Sequence, residues 1–261
     1  MPFNYDAYGD AKPNDYYDDL AQALINEQWD NTAAKTPENG GAIYEQADIG
    51  SAEYNEIEAW VKASVGDVTS GLKDSRDFLR MYFRDINHRC KRGQYYKFDD
   101  CTWIVNDYSQ FNGIGQDVGV RRCNNAMRII DPTTGSVFSI PCVVDYDMTS
   151  PSAQVGRYVI TPNNHAMVKV QGNDDTLRLF KLNTRYMFGG RPFKLLAYQN
   201  ALNYSSTDEK PTYLELDLYL DELHEGDDIE NGVADNGHTS YAESVTVDDM
   251  LDRINKLNGG Y

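Results

Sequence analysis

The stretch Tyr213-Leu214-Glu215-Leu216-Asp217-Leu218-Tyr219-Leu220 decides the fold. Leucine stands at every second position. Strand geometry therefore puts Leu214, Leu216, Leu218 and Leu220 on one face and Tyr213, Glu215, Asp217 and Tyr219 on the other. This is a half-buried strand whose charges meet solvent or an interface. Upstream, from about residue 94, short runs of the same kind alternate with turn chemistry. They predict strands over 94–98, 102–106, 118–130, 136–146, 156–160, 166–171, 176–182, 184–188, 192–199 and 212–221. Asp131-Pro132-Thr133-Thr134-Gly135, Pro162-Asn163-Asn164, Gly172-Asn173-Asp174 and Gly189-Gly190 are the turns between them. Long helical stretches between strands are missing, which excludes a doubly wound parallel sheet and favours an antiparallel sandwich or barrel.

The period changes outside this region. Leu20, Ala21, Leu24 and Ile25 recur at helical spacing, and Asp15 can cap, so a helix is expected over 15–29. Further helices are expected near 51–64, around Ile57, Trp60 and Val61, and near 72–84, where Phe78, Leu79, Tyr82 and Phe83 supply an apolar face. Met250, Leu251, Ile254 and Leu257 share a face of a short helix over 246–257, with Thr246 as cap and Asp248 and Asp249 suited to the N-terminal dipole. The expected fold is therefore mainly β, an antiparallel sandwich or barrel core, with N-terminal helices and a short C-terminal helix, α+β overall. Four segments follow: an N-terminal arm with one helix over 1–42, a helical segment over 43–90, a β-rich core over 91–222, and an acidic tail with a short helix over 223–261.

Charge separates along the 261 residues, whose formal net charge is -17. Residues 1–60 carry 13 acids and 2 bases, residues 206–261 carry 15 acids and 3 bases, and the middle carries 13 acids and 19 bases. Acidic ends serve solubility, fold over basic surfaces of neighbouring copies, or meet a basic partner. Such a chain does not bind nucleic acid strongly, which needs clustered Lys and Arg. Arg121, Arg122 and Arg128 form a basic patch that could touch phosphate or simply be a solvated strand edge. No apolar run approaches the roughly 20 residues that span a bilayer. The start, Met-Pro-Phe-Asn-Tyr-Asp-Ala-Tyr, has neither a basic region nor an apolar core, so neither secretion nor a membrane is expected.

The motifs that could carry chemistry lack the spacing it needs. Cys90, Cys101, Cys123 and Cys142 contain no Cys-x-x-Cys pair, so they are expected as reduced thiols on strands and not as zinc ligands. Gly113-Ile114-Gly115-Gln116-Asp117-Val118-Gly119 lacks the spacing and context of a phosphate-binding loop. It reads as a mobile loop before a strand, of the kind that sometimes lines a channel or contacts a partner, with Gly113 and Gly115 as its candidate interaction residues. Asp227-Asp228-Ile229-Glu230-Asn231-Gly232 opens like a calcium loop but has Ile229 and His238 where oxygen ligands belong. His88, His165, His224 and His238 sit in no catalytic signature. No metal, cofactor or catalytic residue is expected. Nineteen tyrosines are many for this length, and tyrosine favours interfaces. Tyr16 and Tyr17 on the N-terminal arm, with Trp29 nearby, are expected to order on another subunit or to present ring faces to sugar. Leu251 and Ile254 are expected to dock on the chain's own core or on a neighbour.

Residues of about 94–232 resemble head–tail connector proteins of tailed phages. The resemblance rests on Arg92-Gly93 before Lys97-Phe98-Asp99-Asp100-Cys101-Thr102-Trp103-Ile104-Val105, and on Cys123-Asn124-Asn125-Ala126-Met127-Arg128-Ile129-Ile130-Asp131 running to Ile140-Pro141-Cys142. It continues through Asn173-Asp174-Asp175-Thr176, Leu182-Asn183-Thr184-Arg185-Tyr186-Met187-Phe188-Gly189, residues 213–222 and residues 227–232. It implies a non-enzymatic virion protein made in the host cytoplasm, a homo-oligomeric ring subunit of the neck between portal and tail. Such an adaptor, collar or stopper contacts the portal protein and neighbouring tail proteins, and genomic DNA passes through it without sequence-specific contact. An acidic lumen would let DNA slide. Two other readings stay open: a tail or baseplate component that binds host-surface carbohydrate, and a hydrolase with an acid pair.

Overall fold

The structure is a computed structural model that describes residues 13–31, 42–63, 77–110, 115–131, 134–146, 165–198 and 210–236. The chain divides into two compact units, Met1–Ala47 with Glu53–Arg122, and Asp48–Ala52 with Cys123–Tyr261.

The first unit holds helix α1 (Pro13–Asn31) and strands β1 (Ile43–Gln46), β2 (Tyr54–Ile57), β3 (Ala59–Ala63), β4 (Phe78–Phe83), β5 (Tyr95–Phe98), β6 (Cys101–Gln110) and β7 (Gln116–Arg122). They form one antiparallel sheet in the order β2-β1-β5-β6-β7-β4-β3. The two edge strands, β2 and β3, are consecutive in the chain and separated by Glu58 alone. The sheet must therefore curl until its edges meet, and the Arg84 amide donates to the Glu58 carbonyl at 3.0 Å across that corner. Inside the curl lie Met81, Phe83, Tyr96, Phe98, Trp103, Val105, Val118 and Val120, with Phe98 and Trp103 stacked at 4.7 Å.

Helix α1 docks through an unexpected stripe. Gln22, Asn26 and Trp29, at i, i+4 and i+7, face the unit. Gln22 donates to the Arg84 carbonyl at 2.8 Å and accepts from the Ile86 amide at 3.0 Å. Arg84 donates to Asn26 at 3.0 Å, and Trp29 is buried in a stack on Trp60 at 4.5 Å. Leu20 and Leu24 are left 45% and 50% exposed.

Two helices expected from sequence are strands. The region 51–64 forms β2 and β3, and the region 72–84 contains β4. The run Phe-Leu-Arg-Met-Tyr-Phe fits either period over six residues. Its β-favouring aromatics pair with β3 on one side and with Val118 and Val120 of β7 on the other. Tertiary partners decide such a segment.

The second unit holds β8 (Asn125–Ile130), β9 (Val137–Tyr146), β10 (His165–Gln171), α2 (Asp174–Leu179), β11 (Arg185–Phe188), β12 (Arg191–Tyr198) and β13 (Tyr213–Leu220). The sheet order is β11-β12-β13-β10-β9-β8, again antiparallel. Edge strands β11 and β8 lie against each other, so this sheet also nearly closes. Leu214, Leu216 and Leu218 are buried among Val168, Val170, Phe193, Leu195 and Tyr186, as the alternation requires. Two expectations change here. The strand expected over 118–130 breaks between β7 and β8. There Asn124 both donates to the Val144 carbonyl and accepts from its amide, at 3.0 and 2.8 Å, so its side chain replaces a backbone partner. The strand expected over 176–182 is instead α2, opened by a capping box. Asn173 accepts from the Thr176 amide at 2.9 Å, and the Thr176 hydroxyl accepts from the Asn173 amide at 2.8 Å. Leu177, Leu179 and Phe180 then enter the core.

The single β core expected over 91–222 thus divides at Arg122/Cys123. The expected strand over 156–160 and the expected helix over 246–257 lie outside the described residues. No helix among the described residues is long and apolar enough to cross a membrane.

Candidate functional site

The first unit carries an open cleft of about 550 Å³ lined by Ala42, Tyr44, Lys97, Phe98, Asp99, Asp100, Cys101 and Thr102. Strand register builds it. Glu56 of β2 pairs with Tyr44 of β1, Tyr44 with Lys97 of β5, and Lys97 with Thr102 of β6. These four residues therefore form one cross-strand row on a single face. Tyr44 is 42% exposed. The Lys97 ammonium lies 3.8 Å over the Tyr54 ring, which holds its stem in place.

The two-residue turn Asp99-Asp100 closes the row. Phe98 and Cys101 are its paired flanks, and φ is 51° at Asp99 and 56° at Asp100. Two left-handed residues in a two-residue loop make a type I′ turn, where Asn-Gly or Gly-Gly is the usual pair. The β11–β12 turn obeys that rule with Gly189 and Gly190, at φ 56° and 74°. Aspartate is a usual first residue of such a turn, but Asp100 stands where glycine is preferred, at a cost of about 1 kcal/mol in backbone strain. Asp99 adds a further cost: its Oδ1 is shielded from solvent and has no hydrogen-bond partner. A shielded acceptor without a donor costs about 1–3 kcal/mol.

Other polar groups converge away from the cleft. On the core side of the first unit, Glu45 accepts from the Tyr96 hydroxyl and pairs with His88 Nε2 at 2.9 Å. Cys90 lies in the same network. Burial, then the Glu45 charge, push its thiol up to about 12. Both effects favour the protonated thiol over the thiolate at neutral pH. On the polar face of the second unit, His165 pairs with Asp217 and its ring lies 4.7 Å from Tyr219. Lys169 and Asp145 lie 3.5 Å apart.

The loop after β13 is held by two arginines. Arg185 of β11 is buried and donates to Asp221 at 2.8 Å, to both oxygens of Asp227 at 2.8 and 2.9 Å, and to the carbonyls of Glu222 and Asp235. Arg128 of β8 donates to the Asn231 carbonyl. Burial alone would raise Asp227. The Arg185 hydrogen bonds and the backbone amides of His224 and Asp235 outweigh it and hold the carboxyl below its ordinary value. Asp228, next to it in the stretch that resembles a calcium loop, accepts from the Asn231 backbone amide at 2.9 Å and from its side-chain amide at 2.7 Å, so both aspartates are engaged within the chain. Among the described residues no group of three or more His, Cys, Asp or Glu could hold a metal ion.

The residues singled out from sequence are scattered. Tyr16 and Tyr17 fall in the N-terminal part of α1, and Trp29 is stacked on Trp60. Gly115 stands before the body of β7 at φ 68°, its amide donating to the Ile86 carbonyl at 3.1 Å. Gly113, Leu251 and Ile254 lie outside the described residues. The basic patch is occupied from within: Arg121 is buried 4.5 Å over Phe78, Arg122 pairs with Asp77 at 2.6 Å, and Arg128 holds Asn231. All four cysteines are free thiols. Sequence reading missed the cleft. Its one visible signal was an Asp-Asp pair standing where a hairpin calls for glycine.

Residues 125–201 match the family model described as the YomX C-terminal domain. The match covers less than half of the chain. It begins at the first residue of β8 and runs through β9, β10, α2, β11 and β12. No curated protein and no solved structure matches. This stretch of the second unit is similar to a phage-associated domain family, which suggests a phage protein.

Proposed function

We propose that the chain is a structural virion protein, a ring subunit of the phage neck that connects portal to tail around the DNA channel. The match of residues 125–201 to a phage-associated family carries this reading. Exposed apolar side chains support it. Leu20 and Leu24 sit one turn apart on α1, and the register pair Ile130 and Val137 is 46% and 56% exposed. A self-assembling subunit would bury such groups against a neighbour. Net charge of -17 suits a surface past which DNA must slide.

The test is the mass in solution, alone and mixed with portal-containing extract, followed by negative-stain imaging. Rings, or a monomer that assembles only with portal, are expected. The double variant Leu20→Lys/Leu24→Lys should lose assembly while keeping its melting temperature. A wild-type chain that stays monomeric in both samples ends the proposal. A carbohydrate-binding tail component is a second reading, and the cleft is the observation that favours it.

A further inference from the structure

We infer that the cleft at the β5–β6 turn is a binding site for a neutral saccharide. The inference does not depend on the neck reading. A sugar ring presents a C–H face and a rim of hydroxyls that both donate and accept. The cleft offers the complement of each. Tyr44 gives an exposed ring beside the opening, and an aromatic face packs on apolar C–H groups while its hydroxyl keeps a polar contact. Lys97 and Thr102 supply donors, and Asp99, Asp100 and the Thr102 hydroxyl supply acceptors.

Other ligand classes fit worse. Lys97, Asp99, Asp100 and Thr102 put charged and hydroxyl groups beside the apolar parts of Ala42, Tyr44, Phe98 and Cys101, a mixture that suits an amphipathic ligand better than a wholly apolar one. Two aspartates at the turn repel phosphate and carboxylate ligands. The Lys97 ammonium in the same cleft disfavours a bare cation, and no metal-holding group occurs among the described residues. The groups sit on three paired strands and a two-residue turn, so their spacing is fixed before a ligand arrives. The turn's two left-handed aspartates add to this, because the fold alone would be better served by Asn-Gly.

An open cleft of this size binds weakly, with Kd of about 1 mM for a single sugar. The test is a ¹H–¹⁵N correlation titration of the full chain with methyl α-glucoside, methyl β-galactoside, N-acetylglucosamine and methyl α-rhamnoside, each to roughly 50 mM. At least one probe should give saturable shifts centred on residues 42–44 and 97–102. Tyr44→Ala and Asp100→Asn should each weaken that binding about tenfold or more, and Tyr219→Ala, in the second unit, should leave it unchanged. Should Tyr44→Ala fail to fold, as read by its melting curve, Asp100→Asn on the exposed side of the turn decides. No saturable shift with any of the four sugars, or shifts unaffected by Asp100→Asn, overturns the inference. Neither result bears on the mass measurement that tests the ring.

Discussion

Arg185 ties β11 to the loop that follows β13. Its guanidinium is 5% exposed, and the Asp227 carboxylate it grips is fully shielded. A buried pair of this kind gains little over an apolar pair, but loss of one partner strands the other charge. Arg185→Met should therefore cost about 3 kcal/mol in urea denaturation. The pH dependence follows from the same contact. Asp227 titrates below its ordinary value in the folded chain, and an unfolded aspartate titrates near 3.9. The stability it adds is thus complete above about pH 4 and lost as pH falls through the lower folded value. The gap between wild type and Arg185→Met should hold steady from neutral pH to about pH 5 and shrink below about pH 4. A gap independent of pH would show that the carboxylate is not what Arg185 stabilises.

The two short hairpin turns make a controlled comparison at the scale of elements. Gly189-Gly190 and Asp99-Asp100 share a left-handed backbone, and one pair is relaxed where the other is strained. The double change Asp99→Asn/Asp100→Gly should stabilise the first unit by about 1 kcal/mol. That is a rise of about 3 °C or more in Tm, read by a thermal melt, together with loss of the sugar-dependent shifts. A gain in both would contradict the site. The elements also show what a sequence exposes. Strands over 213–220, 165–171 and 185–188 were legible because alternation or bracketing turns fix their faces without reference to anything distant. Strands 59–63 and 78–83 were not. Ile57, Trp60 and Val61, and Phe78, Leu79, Tyr82 and Phe83, satisfy a helical stripe equally well, and the choice is made by the pairing of β3 with β4 and of β4 with β7. Helix α2 is too short to show a period; its signal was Asn173 and Thr176, a capping pair inside what reads as a turn. The cleft was illegible for a related reason. Tyr44, Lys97 and Thr102 converge only through the register of three strands, and no local pattern states a register.

At the scale of the molecule, both sheets bring their edge strands near each other. The first does so by chain continuity through Glu58, the second by bringing β8 beside β11 and pinning one loop to both through Arg128 and Arg185. The stretch that matches a known family ends at residue 201, yet β13, over Tyr213–Leu220, is hydrogen-bonded between β12 and β10. The matched stretch is therefore one strand short of a sheet. A chain ended at residue 201 would keep a slot the width of one strand, bordered by two unsatisfied rows of backbone groups. Supplied as a separate piece, residues 210–261 should fill that slot. Neither piece alone should give the native amide spectrum of the second unit, and mixing them should restore it. A folded second unit without the added strand would refute this. Strand donation in trans would then let the folding of the second unit be started at will, by adding its missing strand.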